Sequence, residues 1–256
     1  MIIAVIGKGG VGKTTLAALI LRRLLECRQT PVLAIDADPS SCLGPALGIA
    51  VERTLAGLRE SMRQTADRPP SMSPGEWLAM GAAESIVENH GFDLLTMGRP
   101  EGKGCYCFVN NLIRDHLDRL ARSYRHVLLD CEAGLEHLSR RTSGRPDALL
   151  CVTNRSRMAA ETISRCLALY KELHGGLPAR ADLALNQFEP GEPLAAEMTR
   201  IAAGSHHDGL LAPFRRVFAV PSDPQVASFE AAGTSLLKLD PDTPALAALR
   251  AWELPS

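Results

Sequence analysis

Gly7-Lys8-Gly9-Gly10-Val11-Gly12-Lys13-Thr14-Thr15 carries the pattern Gly-x-x-x-x-Gly-Lys-[Ser/Thr] directly after the apolar run Met1–Ile6. These residue types at this spacing suit a polyphosphate. Glycine-rich backbone lets successive N–H groups turn toward one anion, and a helix starting there adds its positive end. Lys13 would reach the β- and γ-phosphates, and the Thr14 hydroxyl would coordinate Mg²⁺, a cation that takes oxygen ligands. Gly9, Gly10, Val11, Gly12, Lys13, Thr14 and Thr15 are therefore the expected cradle of a nucleoside triphosphate. A glycine-rich turn can match by accident, but here strand, spacing and helix agree.

Two further acidic sites follow apolar runs. Val32–Ile35 leads into Asp36-Ala37-Asp38-Pro39, and His126–Leu129 leads into Asp130-Cys131-Glu132-Ala133-Gly134. An acid at a strand end facing a triphosphate can hold Mg²⁺-bound water or position the attacking water. Asp-Pro is also a common turn start, so Asp38 has a local alternative role. An apolar strand closing on aspartate is the Walker B pattern, which assigns Asp130 to Mg²⁺ through water. Gly134 would let a switch segment move with the γ-phosphate.

The elements that must position these residues alternate. Apolar runs at Met1–Ile6, Val32–Ile35, Phe92–Thr96, His126–Leu129, Ala148–Val152, Ala181–Leu185 and Phe214–Val220 are separated by helical patterns such as Thr14–Glu26, Leu112–Arg122, Ala159–Leu173 and Pro224–Ala232. That alternation predicts an α/β fold, a mostly parallel sheet with helices on both faces, whose ligands bind beyond the carboxyl ends of the strands. Ser61–Gly75 reads as an insertion or exposed loop, and Pro193–Ala203 as a short helix within a looser stretch. No repeat or linker divides the chain, so residues 1–256 are expected to form a single domain.

Composition narrows the function. Lys plus Arg, at 28, balances Asp plus Glu, at 29, so no basic excess points to nucleic acid or an anionic membrane. No apolar stretch reaches the length of a membrane span. A cytoplasmic protein is expected, with its seven cysteines reduced. Cys27, Cys151 and Cys166 fall in helix or strand patterns and read as small core residues.

Cys105-Tyr106-Cys107 follows Gly102-Lys103-Gly104. On a loop or extended backbone, residues i and i+2 point the same way, so both sulfurs can face one ion. Lys103 and a nearby helix start would lower the thiol pKa, and thiolates bind soft or borderline metals. One pair supplies two ligands; four would need two chains about a two-fold axis. Such a site suits tetrahedral Zn²⁺ or square-planar Ni²⁺. Alone, the Cys-x-Cys spacing is more often incidental.

The extra lysine, Lys8, resembles that of the deviant phosphate-loop ATPases, the group that includes MinD, ParA, the arsenite-pump ATPase and the nitrogenase iron protein. The resemblance implies that Lys8 reaches a partner subunit's phosphate site in a homodimer, with Asp38 as the attacking-water or Mg²⁺ acid, supported by Asp36. It also places an adenine-contacting asparagine at Asn186 and a base-flanking loop at Val220–Pro224, including Pro221 and Asp223. The aspartate of an Asn-Lys-x-Asp guanine site is absent, so ATP is favoured over GTP. The blocks Asp36–Gly44, Gly102–Arg114 and Asp130–Thr142 together are similar to the CooC-type ATPases that support nickel insertion into carbon monoxide dehydrogenase. That resemblance implies an ATP-dependent metallochaperone, with Cys105 and Cys107 as ligands for Ni²⁺ (Zn²⁺ possible), Lys8, Lys13 and Asp38 catalytic, Thr14, Asp38 and Asp130 toward Mg²⁺, and the carbon monoxide dehydrogenase catalytic subunit as client.

Two other readings stay open. An iron–sulfur electron donor resembling the nitrogenase iron protein could use Cys107 and Cys131, although that family spaces its cysteine two residues beyond the Walker B aspartate. A MinD/ParA-like positioning ATPase would want a basic membrane helix or a basic surface, and Leu246–Ser256 is too short and weakly basic for an anchor. His206-His207 and His137 could bind metal or sense nucleotide, but solvated surface roles suit them equally.

Overall fold

The computed structural model describes residues 1–61, 71–99, 117, 119–131, 145–189, 193–196, 198–199 and 211–254. Its strands are β1 (Ile2–Gly7), β2 (Val32–Asp36), β3 (Ile86–Asn89), β4 (Phe92–Thr96), β5 (His126–Asp130), β6 (Ala148–Thr153), β7 (Arg180–Phe188) and β8 (Arg216–Pro221). Its main helices are α1 (Lys13–Glu26), α2 (Leu43–Leu47), α3 (Leu55–Ser61), α4 (Pro74–Glu84), α5 (Arg157–His174), α6 (Pro224–Ala231) and α7 (Pro244–Ala251). The strands form one eight-stranded sheet in the order β3-β4-β2-β5-β1-β6-β7-β8. Every pairing is parallel except β3 with β4.

Both faces of the sheet are covered. Successive side chains of a strand point to opposite faces, and the core divides accordingly. Ala4, Ile6, Leu33, Ile35, Val127 and Leu129 meet α3, α4 and α5. Ile3, Val5, Val32, Ala34 and Leu128 meet α1, α2 and α7. Helix α1 is buried from Leu16 to Leu24, including Arg22 and Arg23. These two arginines tie it to the C-terminal segment: Arg22 donates to the Leu239 carbonyl at 2.6 Å, and Arg23 to the Trp252 carbonyl at 2.7 Å and to that of Leu249. The Trp252 indole N–H donates to the buried Asp182 carboxylate at 2.9 Å, against which Arg180 and Arg215 also lie.

The seven strands expected from apolar runs are present. Periodicity missed β3, whose residues alternate weakly and lie half exposed on the edge of the sheet. It also missed α4. The stretch expected to be a loop from Ser61 to Gly75 has helix at both ends: α3 runs through Ser61, and α4 begins at Pro74 behind a capping box between Ser73 and Glu76. Ser-x-x-Glu with proline at the first helical position was the available signal. Residues 62–70 of that stretch lie outside the described residues. Of the cysteines expected in the core, Cys151 and Cys166 are buried, whereas Cys27 is exposed because it caps the end of α1, beyond its last buried turn. No helix among the described residues is long and apolar enough to cross a membrane.

Trp252→Ala removes a ring that is 1 % exposed and takes a donor from a buried carboxylate. We expect unfolding in urea to show a loss of about 3–5 kcal/mol. A loss below about 1 kcal/mol would show that the ring does not anchor the C-terminal segment.

Candidate functional site

The sheet register brings the site's acids together. In the pairing of β2 with β5, Asp36 lies opposite Asp130, and β1 pairs Val5 with the same Asp130. The loop leaving β1 therefore begins beside two carboxylates at the carboxyl edge of the sheet. Gly7 passes so close to β6 that a Cβ there would lie 2.2 Å from the Val152 carbonyl oxygen. Gly12 is the N-cap of α1 at φ 86°, a left-handed conformation, and its Cβ would lie 2.2 Å from Asn186 Nδ2. Both positions need glycine, the second for conformation as well as space.

Beyond Gly12, α1 supplies the polar groups. Lys13 is buried, and its ammonium donates to the Lys8 carbonyl at 3.4 Å. Lys8 itself is half-buried, and Gly9 and Gly10 are exposed. The Thr14 hydroxyl donates to Asp130 Oδ2 at 2.6 Å. The other oxygen, Asp130 Oδ1, is buried without a hydrogen-bond partner. Burial pushes the Asp130 carboxyl up to about 7; the Thr14 bond opposes the rise and the neighbouring Asp36 adds to it.

Asp36 and Asp38 divide their work. Asp36 is fully buried and accepts from the N–H groups of Asp38 (3.2 Å) and Leu43 (2.8 Å), so it shapes the 37–43 turn. Burial raises its carboxyl to about 6 despite those bonds. Asp38 is half-buried, and its Oδ1 accepts from Ser40 N at 2.9 Å. It thus starts a turn, its local alternative, while standing at the strand end among the other acids. Burial, then the charges of Asp36, Asp38 and Asp130, hold the adjacent Cys42 thiol above its ordinary value, so it is poorly suited to act as a thiolate ligand.

A cavity of about 670 Å³ opens beside the loop, lined by Gly12, Thr15, Asn186, Pro221, Asp223 and Glu230 among others. The Asn186 amide donates to the Val11 carbonyl at 2.8 Å, linking the cavity wall directly to the glycine loop. Asp223 is the N-cap of α6: its carboxylate accepts from Gln225 N, Val226 N and Ala245 N, so it holds the wall in place. The Asp223-Pro224 pair, a cap followed by proline at the first helical position, was the sequence signal for that role. Pro221 closes β8 at the cavity. Sequence reasoning missed Glu189, which accepts from the Ser222 hydroxyl at 2.7 Å, and Glu230, which accepts from the Thr15 hydroxyl. Neither lies in a motif; only the fold brings them to the cavity.

The donor set fits a hard divalent cation. Thr14 and the unpartnered, buried Asp130 Oδ1 supply oxygen at the mouth of the loop, with Asp38 nearby in the chain fold. Cys105 and Cys107 lie outside the described residues, as do Gly134, His137 and His206-His207. Cys131 is buried at the end of β5. Among the described residues, no group of three or more His, Cys, Asp or Glu could hold a metal ion.

The profile of the CobQ/CobB/MinD/ParA nucleotide binding domain matches residues 2–201. An uncharacterized ATP-binding protein of Methanocaldococcus jannaschii is 44% identical over 176 residues, 68% of this chain and 69% of that protein. The carbon monoxide dehydrogenase accessory protein CooC of Rhodospirillum rubrum is 33% identical over 185 residues, 68% of this chain and 70% of that one. Among solved structures, a ParA family ATPase from Chlorobium tepidum superposes with a TM-score of 0.69 at 19% identity, covering 98% of this chain and 97% of that one. This last likeness concerns the fold.

Asp130 also sets a pH dependence. Its carboxyl ionises near 3.8 when unfolded and at about 7 when folded without metal. Between those values the folded state holds a proton that the unfolded state has released, so stability falls as pH rises, then levels off above 7. Asp36 acts in the same direction up to about 6. In metal-free buffer, Asp130→Asn should remove about 4 kcal/mol of this decline, measured by denaturant unfolding across the range. Parallel wild-type and variant profiles would contradict the burial argument.

Proposed function

The chain belongs to the CobQ/CobB/MinD/ParA nucleotide-binding domain family, and from that premise we propose that it is a Mg²⁺-dependent ATPase acting as a homodimeric nickel metallochaperone for carbon monoxide dehydrogenase. The observation that carries the ATPase part is the Thr14–Asp130 pair at the mouth of the glycine loop, a hydroxyl and a buried carboxylate with one oxygen unpartnered. When bound, Mg²⁺ would supply charge neutralisation between the phosphate oxygens and these groups. Lys13 and the start of α1 bind and orient the β- and γ-phosphates. Asp38 orients the attacking water. Lys8, on the outer lip of the loop, adds its positive charge to the partner's site, in the manner of an arginine finger. Gly9, Gly10, Val11, Gly12 and Thr15 complete the cradle, and Asn186, Pro221 and Asp223 line the adenosine side.

The metallochaperone part is supported by the 33% identity to CooC together with the Cys105-Tyr106-Cys107 block. In this reading the pairs from two subunits, each a single domain, share Ni²⁺ or Zn²⁺, and nucleotide closes the dimer around it. Reduced thiols require a reducing compartment, so the cytoplasm belongs to the same proposal. Cys131 argues against the iron–sulfur alternative: it is only 2 % exposed and packs in the core cluster with Leu129. The likeness to a ParA family fold keeps a positioning ATPase as the second reading. Co-sedimentation with DNA or anionic vesicles distinguishes it, since the metallochaperone needs neither.

Lys13→Ala should reduce Mg²⁺-dependent phosphate release to background. Lys8→Ala should keep ATP binding but lower turnover about a thousandfold or more, the scale of an arginine finger. Turnover unchanged in Lys8→Ala would remove the cross-subunit role.

The joint replacement Cys105→Ala and Cys107→Ala should abolish the roughly one nickel or zinc per dimer expected with ATP, while nucleotide affinity stays the same. Metal analysis of the purified dimer checks this. Retained metal would sink the thiol assignment and leave the ATPase reading standing.

A further inference from the structure

Helix α1 begins at the phosphate loop with no acidic residue in its own first turn. Its positive end has a counter-charge all the same. Glu230, from α6, places its carboxylate on the Thr15 hydroxyl in that first turn. The position is a poor one for α6. Glu230 lies in the last turn of that helix, which holds no basic residue, and a negative charge there opposes the helix dipole. Local propensity therefore disfavours an acid at 230, whereas the neighbouring helix start favours it. Such a conflict between levels marks a residue placed for another purpose.

The surroundings sharpen the point. Among the described residues, three carboxylates line the cavity and no lysine, arginine or histidine does. Asp223 is held by three backbone N–H groups of α6 and α7, and Glu189 by the Ser222 hydroxyl on the same wall. Glu230 alone among the three crosses to the phosphate loop's helix. It is exposed, so its side chain can swing into water when its partner is taken.

Resting on the nucleotide site proposed above, we propose that Glu230 is an internal anion that occupies the start of α1 until nucleotide phosphates displace it. The bridge between Thr15 and Glu230 and a bound polyphosphate compete for the same helix terminus, and the two negative groups repel. Displacement frees the end of α6. That helix is tied to the C-terminal segment by Gln225, which accepts from Asp240 N at 2.9 Å, and by Asp223, which accepts from Ala245 N at 3.0 Å. Occupancy of the loop is thereby relayed to the far wall of the cavity.

The test is equilibrium titration with a fluorescent ADP analogue in the absence of Mg²⁺, on wild type, Glu230→Gln and Glu230→Ala. Both variants should bind about two- to fivefold tighter, with the gain shrinking at high salt. Equal or weaker binding overturns the proposal and makes Glu230 a nucleoside contact or a bystander. Hydrogen exchange gives the second readout: ADP should speed exchange at the end of α6 in wild type, while Glu230→Ala is already at the faster rate. Unchanged wild-type exchange would overturn the relay. Failure of wild type to bind the analogue at all, with Lys13→Ala behaving identically, would instead sink the nucleotide reading beneath it.

Discussion

A hydroxyl and a buried carboxylate hold the centre of this protein together. Thr14 and Asp130 come from elements more than a hundred residues apart, and their hydrogen bond joins the start of α1 to the end of β5. The carboxylate pays a desolvation penalty there, visible in its raised pKa and its unpartnered Oδ1. A buried acid left half satisfied is costly unless a cation completes it. The rest of the structure keeps those two atoms in register.

Helix α1 is the main rigid body in that arrangement. Buried on almost every side, it is wedged against β1 and β5 and strapped at its far end by Arg22 and Arg23 to the backbone of the C-terminal segment. The strap is itself anchored by Trp252 on Asp182 at the start of β7. A helix fixed along its length presents its first turn at a defined place. The glycine loop then only has to bridge from β1, and tight spacing at Gly7 and Gly12 leaves it little freedom. Asn186 and the acids at 36 and 38 press the loop and the adjoining turn from two sides.

Much of this was legible from residue patterns. Strong apolar runs such as Val32–Ile35 and Ala148–Val152 fall in interior strands, where burial on both faces demands continuous hydrophobicity. The weakly patterned β3 escaped because an edge strand needs less burial, and α4 escaped because its start lies in a polar, proline-containing stretch. The phosphate-loop residues were readable because their types and spacing are a chemical requirement. Asp223 was singled out only because the family resemblance implies a base-flanking loop there; its carboxylate caps α6, a role its following proline announces. Glu189 and Glu230 carry no such signature, since isolated glutamates on a chain say nothing about what they will face.

Sequence by itself determined the fold class, the glycine loop and the acids that close β2 and β5, because each follows from local chemistry: alternation of elements, backbone freedom at glycine, a carboxylate after an apolar run. Only the tertiary structure decided which atoms meet. The register of a parallel sheet set Asp36 beside Asp130, the crossing of α1 over β5 set Thr14 on that carboxylate, and the return of α6 set Glu230 on Thr15. Such contacts depend on long-range pairing and packing, which no short window of residues encodes.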